Sequence, residues 1–221
     1  VDFSPLILSL KVALVATVIS LVIALVVGWA LSFLEFRGKE FLDAAITLPL
    51  VLPPTVLGYY LLIVLGRESW LGQLYETITG GPLVFTPKAA VVAAIFHSAP
   101  LLVKYLRAAI DSVDPIYIKA GRSLGLPEWR IFVSVVLPLC QRAVVASTVL
   151  AFARSLGDFG VTIMIAGNIP GKTQTLATAI YGAVESGNGA VARTLVLIVS
   201  ALGLGVVWFA NRMQTPRTLR G

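Results

Sequence analysis

The chain has 221 residues, 57% of them hydrophobic and only 13% charged, with a formal net charge of +6 and a mean hydropathy of +0.92. A water-soluble domain of this length needs far more polar surface, so the composition excludes one and requires an integral membrane protein. The basic residues lie between apolar stretches and at the C-terminus, which fits membrane topology and not nucleic-acid binding.

The N-terminal Val1-Asp2-Phe3-Ser4-Pro5 lacks a basic region, and the apolar run after it is too long for a signal peptide. A retained helix is expected there. A helix crossing a hydrocarbon core takes about 20 residues, and five segments qualify. The first covers residues 6–34, with its one charge, Lys11, near an end where it can snorkel to the headgroups. The second, residues 41–65, contains Pro49, Pro53 and Pro54, which remove backbone donors and kink it. The third, fourth and fifth cover residues 88–106, 139–156 and 191–211. The expected fold is all-α, a single polytopic domain over residues 1–221 with five spans and a cytoplasmic loop at residues 108–138.

The placement of lysine and arginine gives the orientation. With the N-terminus outside, the cytoplasmic pieces collect Arg37, Lys39, Lys104, Arg107, Lys119, Arg122, Arg130, Arg142, Arg212, Arg217 and Arg220. Lys11, Arg67, Lys88, Arg154, Lys172 and Arg193 fall outside or within spans. This predicts a multi-pass protein of the cytoplasmic (inner) membrane with its C-terminus inside. Residues 67–87 form an outer loop, with Trp70 and Tyr75 as interfacial anchors. Residues 157–190 form a second outer segment whose apolar pieces, 161–166 and 176–184, are too short to span and are expected to be re-entrant or interfacial. The lone Cys140 excludes an internal disulfide and has no metal-site partner spacing; no metal site is expected, and Cys140 reads as a small apolar residue in a helix.

Residues 108–138 are the least lipid-like stretch between two spans. Their centre reads Ile118-Lys119-Ala120-Gly121-Arg122-Ser123-Leu124-Gly125-Leu126-Pro127-Glu128-Trp129-Arg130. The pattern predicts a short helix with small residues on one side, a glycine-plus-proline turn, and an amphipathic helix leading into the fourth span. Such an element is suited to docking in a partner's groove.

Here the sequence resembles the coupling motif of ABC-importer permeases: Glu-Ala-Ala, three residues, Gly, nine residues, Ile-x-Leu-Pro. Lys119-Ala120-Gly121 stands at the triplet, Gly125 at the glycine, and Val135-Val136-Leu137-Pro138 closes the motif at the same spacing. Lys119, Gly121 and Val135 depart from it, and the reversed charge at Lys119 puts any carried-over salt bridge in doubt. By this resemblance Lys119, Ala120, Gly121, Arg122, Leu124, Gly125, Leu126, Glu128 and Trp129 couple the chain to an ATPase. Residues 48–59, 152–160 and 167–173 resemble molybdate permeases, with sulfate permeases the nearest rival. The resemblance implies a homodimer, two ATPase subunits that bind ATP and Mg, an extracytoplasmic oxyanion-binding protein, and no cofactor or catalysis of its own. Tungstate is as acceptable a cargo as molybdate on this reading.

Three further features carry polar chemistry. Residues 166–173 mimic a phosphate-binding loop, Ala-x4-Gly-Lys-Thr, but lack a βαβ context, so ATP hydrolysis is expected from another polypeptide. Arg154 and Asp158, at i and i+4, are expected either to neutralise each other at the outer turn or to set Arg154 beside the anion's path. His97, the only histidine, reads as a hydrogen-bonded interior residue served by Ser98 and the Pro100 kink, or as a gate element. Gly28, Gly58, Gly203 and Gly205 suit close helix contacts.

Overall fold

The computed structural model describes residues 2–214, and Arg217 and Arg220 of the expected basic C-terminus lie outside them. The described chain is all-helical. Helix α1 (Ser4–Phe33) is continuous over 30 residues. Its buried positions Ser9, Ala13, Ala16, Thr17, Ser20, Ala24 and Gly28 recur at three- and four-residue intervals, giving a stripe of small side chains that admits a close neighbour. That neighbour is α5 (Pro87–Asp111). A Cβ on Gly28 would lie 3.2 Å from Leu106 Cδ2, and the hydroxyls of Ser20 and Ser98 meet at 2.9 Å across the contact. The opposite face of α1 leaves Leu14, Val18, Val22 and Val26 exposed, as a lipid-facing surface does.

The second expected span is two helices, α2 (Lys39–Val51) and α3 (Pro54–Leu65), bent by 115°. Proline explains a break and not a mere kink: Leu52 is extended (φ −68, ψ 138), Pro53 cannot donate, and Pro54 starts α3 at its first turn. Three helices, α1, α5 and α12 (Gly189–Gln214), are individually long and apolar enough to cross a membrane, and two more crossings follow if each bent pair counts as one. The second bent pair begins with α7 (Glu128–Ile131), a π-helical stretch over Phe132–Val136 and a short α8 (Leu137–Leu139). It then turns by 80° at Cys140 into α9 (Gln141–Leu156).

The loop at residues 67–87 contains a helix absent from the sequence-based expectation, α4 (Trp70–Thr79), started by the Ser69 side chain accepting from Gly72 N–H and ended at left-handed Gly80. Trp70 is exposed, and Tyr75 accepts a hydrogen bond from Lys88 Nζ at 3.1 Å. The short apolar pieces of residues 157–190 form α10 (Gly160–Ile165) and α11 (Leu176–Glu185). α10 lies tightly on α3: a Cβ on Gly160 would come within 2.6 Å of Pro54 Cβ, and one on Gly58 within 2.7 Å of Met164 Cβ. Gly28 and Gly58 thus serve close contacts as expected, whereas Gly203 and Gly205 face open space.

Two larger clusters make most of the core of the described residues, beside a small one of Leu176, Ala179 and Leu195. One, around Leu31, Leu102, Leu106, Ile131, Phe132 and Val136, joins α1 and α5 to α7 and the π-helical stretch that follows it. The other, rich in alanine, joins α1, α3, α5 and α10 through Ala16, Leu57, Leu61, Ala90, Ala93, Val161 and Ile165.

Candidate functional site

The loop between α5 and α7 has a defined geometry. Helix α6 (Pro115–Ser123) is started by Asp114, whose carboxylate accepts the Ile116 N–H at 2.9 Å, with Pro115 at its first position. It ends in a left-handed turn: Leu126 N–H donates to Gly121 O at 3.2 Å, Gly125 N–H donates to Arg122 O at 2.9 Å, and Gly125 has φ +72. These are the paired bonds of a Schellman motif, which needs a residue without Cβ strain at that position. The motif glycine therefore has a backbone reason to be glycine. Pro127 then starts α7, which packs back on α6 at Gly121, where a Cβ would lie 2.9 Å from Ile131 Cγ1.

This arrangement separates two groups among the expected coupling residues. Gly121 is buried and spends its smallness inside the chain. Lys119, Ala120, Arg122, Leu124, Gly125 and Trp129 are exposed, with Leu126 and Glu128 partly so. Arg122 Nε donates to Glu128 Oε1 at 2.7 Å and Nη2 to Oε2 at 3.2 Å, clamping α6 to α7. That hydrogen bond, together with the carboxylate's charge, raises the Arg122 pKa above its ordinary value. The Arg130 guanidinium sits 5.3 Å from the Trp129 ring.

Inside the helical bundle, Arg154 and Asp158 do not pair. α9 ends at Leu156, so Asp158 lies beyond the helix and the i, i+4 geometry does not apply. Asp158 turns inward instead. Its Oδ2 accepts the Thr162 N–H at 3.1 Å and the Thr162 hydroxyl at 2.5 Å, tying down the first turn of α10. Its Oδ1 lies 3.1 Å from His97 Nδ1, a close polar contact without hydrogen-bond alignment. Both side chains are buried. Asp158, not the Ser98 hydroxyl or the Pro100 kink, is the partner of His97; Ser98 bonds Ser20 and the Ala94 carbonyl. Arg154 is exposed on α9.

A second ionic cluster escaped the sequence reading. Asp43 on α2 receives Lys104 Nζ at 2.9 Å and Arg107 Nη1 at 3.1 Å from α5, with Asp111 3.8 Å from Arg107 Nε. The signal was present: an aspartate inside an apolar segment needs a counter-charge, and Lys104 and Arg107 share one helix face. At the opposite end, a cavity of about 950 Å³ opens between the end of α3 and residues 82–86, edged by Arg67, Glu68 and Lys172. Phe85 at its rim has φ +59, held by donation of its N–H to Ile165 O at 2.8 Å. The phosphate-loop mimic is an ordinary turn, its Thr173 buried and accepting the Ile169 N–H, with no strand among the described residues.

Broken spans around a long α1–α5 pair, with a helix–turn–helix projecting between them, define the membrane permease of an ABC importer. A family model described as "binding-protein-dependent transport system inner membrane component" matches residues 20–218. The chain belongs to that family. It is 40% identical over 199 residues to the molybdenum transport system permease protein ModB of Escherichia coli (strain K12), covering 90% of this chain and 87% of that one. It is 32% identical over 207 residues to "Sulfate permease 2, chloroplastic" of Chlamydomonas reinhardtii, covering 94% and 56%. Among solved structures, the inward facing MetNI methionine ABC transporter superposes with a TM-score of 0.74 at 17% identity, covering 95% of this chain and 92% of that one.

Proposed function

We propose that this chain is the membrane permease subunit of an ATP-driven importer for molybdate, accepting tungstate as well. The observation that carries the reading is the 40% identity to a molybdenum permease along nearly the whole chain, set against the lower identity to a sulfate permease. The permease performs no covalent chemistry. ATP and Mg are bound by a separate ATPase, two copies of which sit beneath a homodimer of this chain, while an extracytoplasmic oxyanion-binding protein delivers cargo from above. The N-terminus faces outward and the C-terminus the cytoplasm, an orientation supported by the lysine and arginine bias.

Mechanistically, closure of the ATPases on ATP pushes on α6 and α7, the docking element. Three features let this element carry a push without deforming. They are a rigid Schellman turn, the Arg122–Glu128 clamp, and the Gly121–Ile131 contact that joins the loop to the core. Arg154, exposed and without an ion pair among the described residues, is the cation available to the passing anion. A weak site of this kind favours entry without trapping the cargo. His97 and Asp158 are buried and position α10 alongside that path.

The test is uptake in cells lacking this chain, with labelled molybdate and labelled sulfate supplied separately at limiting concentration. Loss of molybdate uptake alone supports the reading. Loss of sulfate uptake keeps the permease mechanism and transfers the chain to the sulfate group.

A further inference from the structure

Three cations, Lys119, Arg122 and Arg130, and two carboxylates, Asp114 and Glu128, occupy the loop from Asp114 to Arg130, and the fold partners them unequally. Asp114 is taken by the start of α6. Glu128 is taken by both arms of Arg122, and Arg130 lies over the Trp129 ring. Lys119 is exposed and enters no ion pair among the described residues. It borders a cavity of about 280 Å³ that Asp111 also lines, without an ion pair between them. Around it the loop presents Ile116 (62% exposed), Tyr117 (50%), Leu124 (79%) and Trp129 (54%).

Lys119 and Arg130 are thus the cations of the loop without a carboxylate among the described residues, and of the two only Lys119 has no ring contact either. An apolar projection with such an ammonium on its flank complements an apolar cleft with a carboxylate at the matching place. A lysine that docks without a counter-charge loses its hydration and gains nothing in return. Resting on the docking role proposed above, we infer that the ATPase cleft receiving this loop carries a carboxylate facing Lys119. That polarity is opposite to the one an acidic residue at this motif position demands. The pairing makes recognition between permease and ATPase selective by sign: an ATPase with a cation at this place meets Lys119 with like charge.

The experiment uses the permease–ATPase complex purified in neutral detergent through a tag on the permease, measuring ATPase retained as salt is raised. Lys119→Met should weaken association about 5- to 10-fold at low salt and flatten its salt dependence, and Lys119→Glu should weaken it about 50-fold, as expected for losing and then reversing one interfacial charge. Both substitutions are at an exposed position, and protection of the buried Cys140 thiol reports that the fold is kept. Retention of the ATPase by Lys119→Glu at wild-type strength or better overturns the inference. So does a defect seen only in anionic vesicles and absent in neutral detergent, which assigns Lys119 to lipid phosphate. Leu124→Ser separates this idea from the docking reading beneath it. Loss of ATPase there with wild-type behaviour in Lys119→Glu overturns the charge inference alone, whereas retention in both overturns docking itself.

Discussion

Replacing Asp158 by alanine removes a side chain that holds two parts of the bundle together. Its Oδ2 satisfies both the N–H and the hydroxyl of Thr162, and its Oδ1 faces His97. Loss of a helix-starting acceptor alone costs about 1 kcal/mol. Each buried polar group left without its partner adds about 1–3 kcal/mol. These contributions overlap, so the expected total is about 3–4 kcal/mol. Asp158→Asn keeps an acceptor for Thr162 and offers an amide donor to the imidazole, and should cost about 1 kcal/mol.

For a chain of this size, 1 kcal/mol moves the melting temperature by about 2–4 °C. Asp158→Ala is therefore expected to lower it by about 10 °C and Asp158→Asn by about 3 °C. Cys140, the one cysteine in the sequence and only 6% exposed, supplies the probe: a thiol-reactive dye in detergent reports its exposure on heating. Arg154→Ala is the control, because that side chain is exposed and carries no ion pair among the described residues, and should fall within about 0.5 kcal/mol of wild type. An Asp158→Ala protein melting within about 3 °C of wild type, or an Arg154→Ala protein as unstable as Asp158→Ala, refutes this account of the site.

Gly125→Ala should cost about 1 kcal/mol through its left-handed backbone and Gly125→Asn only a few tenths. Gly125→Trp meets open space within this chain, so it should fold yet hydrolyse ATP without moving anion, which parallel ATPase and vesicle-uptake assays would reveal. Gly160→Ala places a methyl 2.6 Å from Pro54 Cβ. It should destabilise by about 1–3 kcal/mol through overpacking, read by the same thiol assay, with slower transport. Asp43→Asn weakens the hold of α5 on α2 by about 1 kcal/mol, since Lys104 and Arg107 are partly solvated. Hydrogen exchange should rise in α2 and stay unchanged in α5.

The parts of this molecule that depend on local chemistry were legible in its sequence. The long apolar runs correspond to α1, α5 and α12, and the short runs of residues 157–190 to α10 and α11. The spacing from Lys119 to Pro138 located the helix–turn–helix with its glycine at the turn. Sequence reasoning lost ground where the backbone changes direction. Two adjacent prolines signal a kink at residues 53–54, yet neither the 115° angle nor the seating of α3 against α10 at Gly58 and Gly160 is written in the local pattern. Helical spacing pairs Arg154 with Asp158, and it fails because α9 stops at Leu156. Pairs distant in sequence, His97 with Asp158 and Asp43 with Lys104, follow from packing that no local pattern encodes. α4 is short and polar enough to read as loop, and only its Ser69 start and Gly80 end betray it.

These long-range contacts connect the projecting loop to the opposite end of the chain by an unbroken series of packed groups. Ile131, wedged on Gly121, belongs to the same buried cluster as Leu102 and Leu106 of α5. Further along α5, His97 meets Asp158, and Asp158 fixes the first turn of α10. α10 in turn lies on α3 at Gly58 and Gly160 with no space for a methyl group. Close-packed interiors transmit displacement instead of absorbing it, so this series is the route by which the push proposed for α6 and α7 would reach α3. The soft places lie beside this route. The 115° break before Pro54 and the 80° turn at Cys140 interrupt backbone continuity, and α2 has no buried residue of its own, its firmest anchor being the partly solvated Asp43 ion pairs. On the coupling proposed for α6 and α7, rigid contacts along α5 and breaks at its flanks would let the loop tilt α3 and α10 without unfolding the bundle.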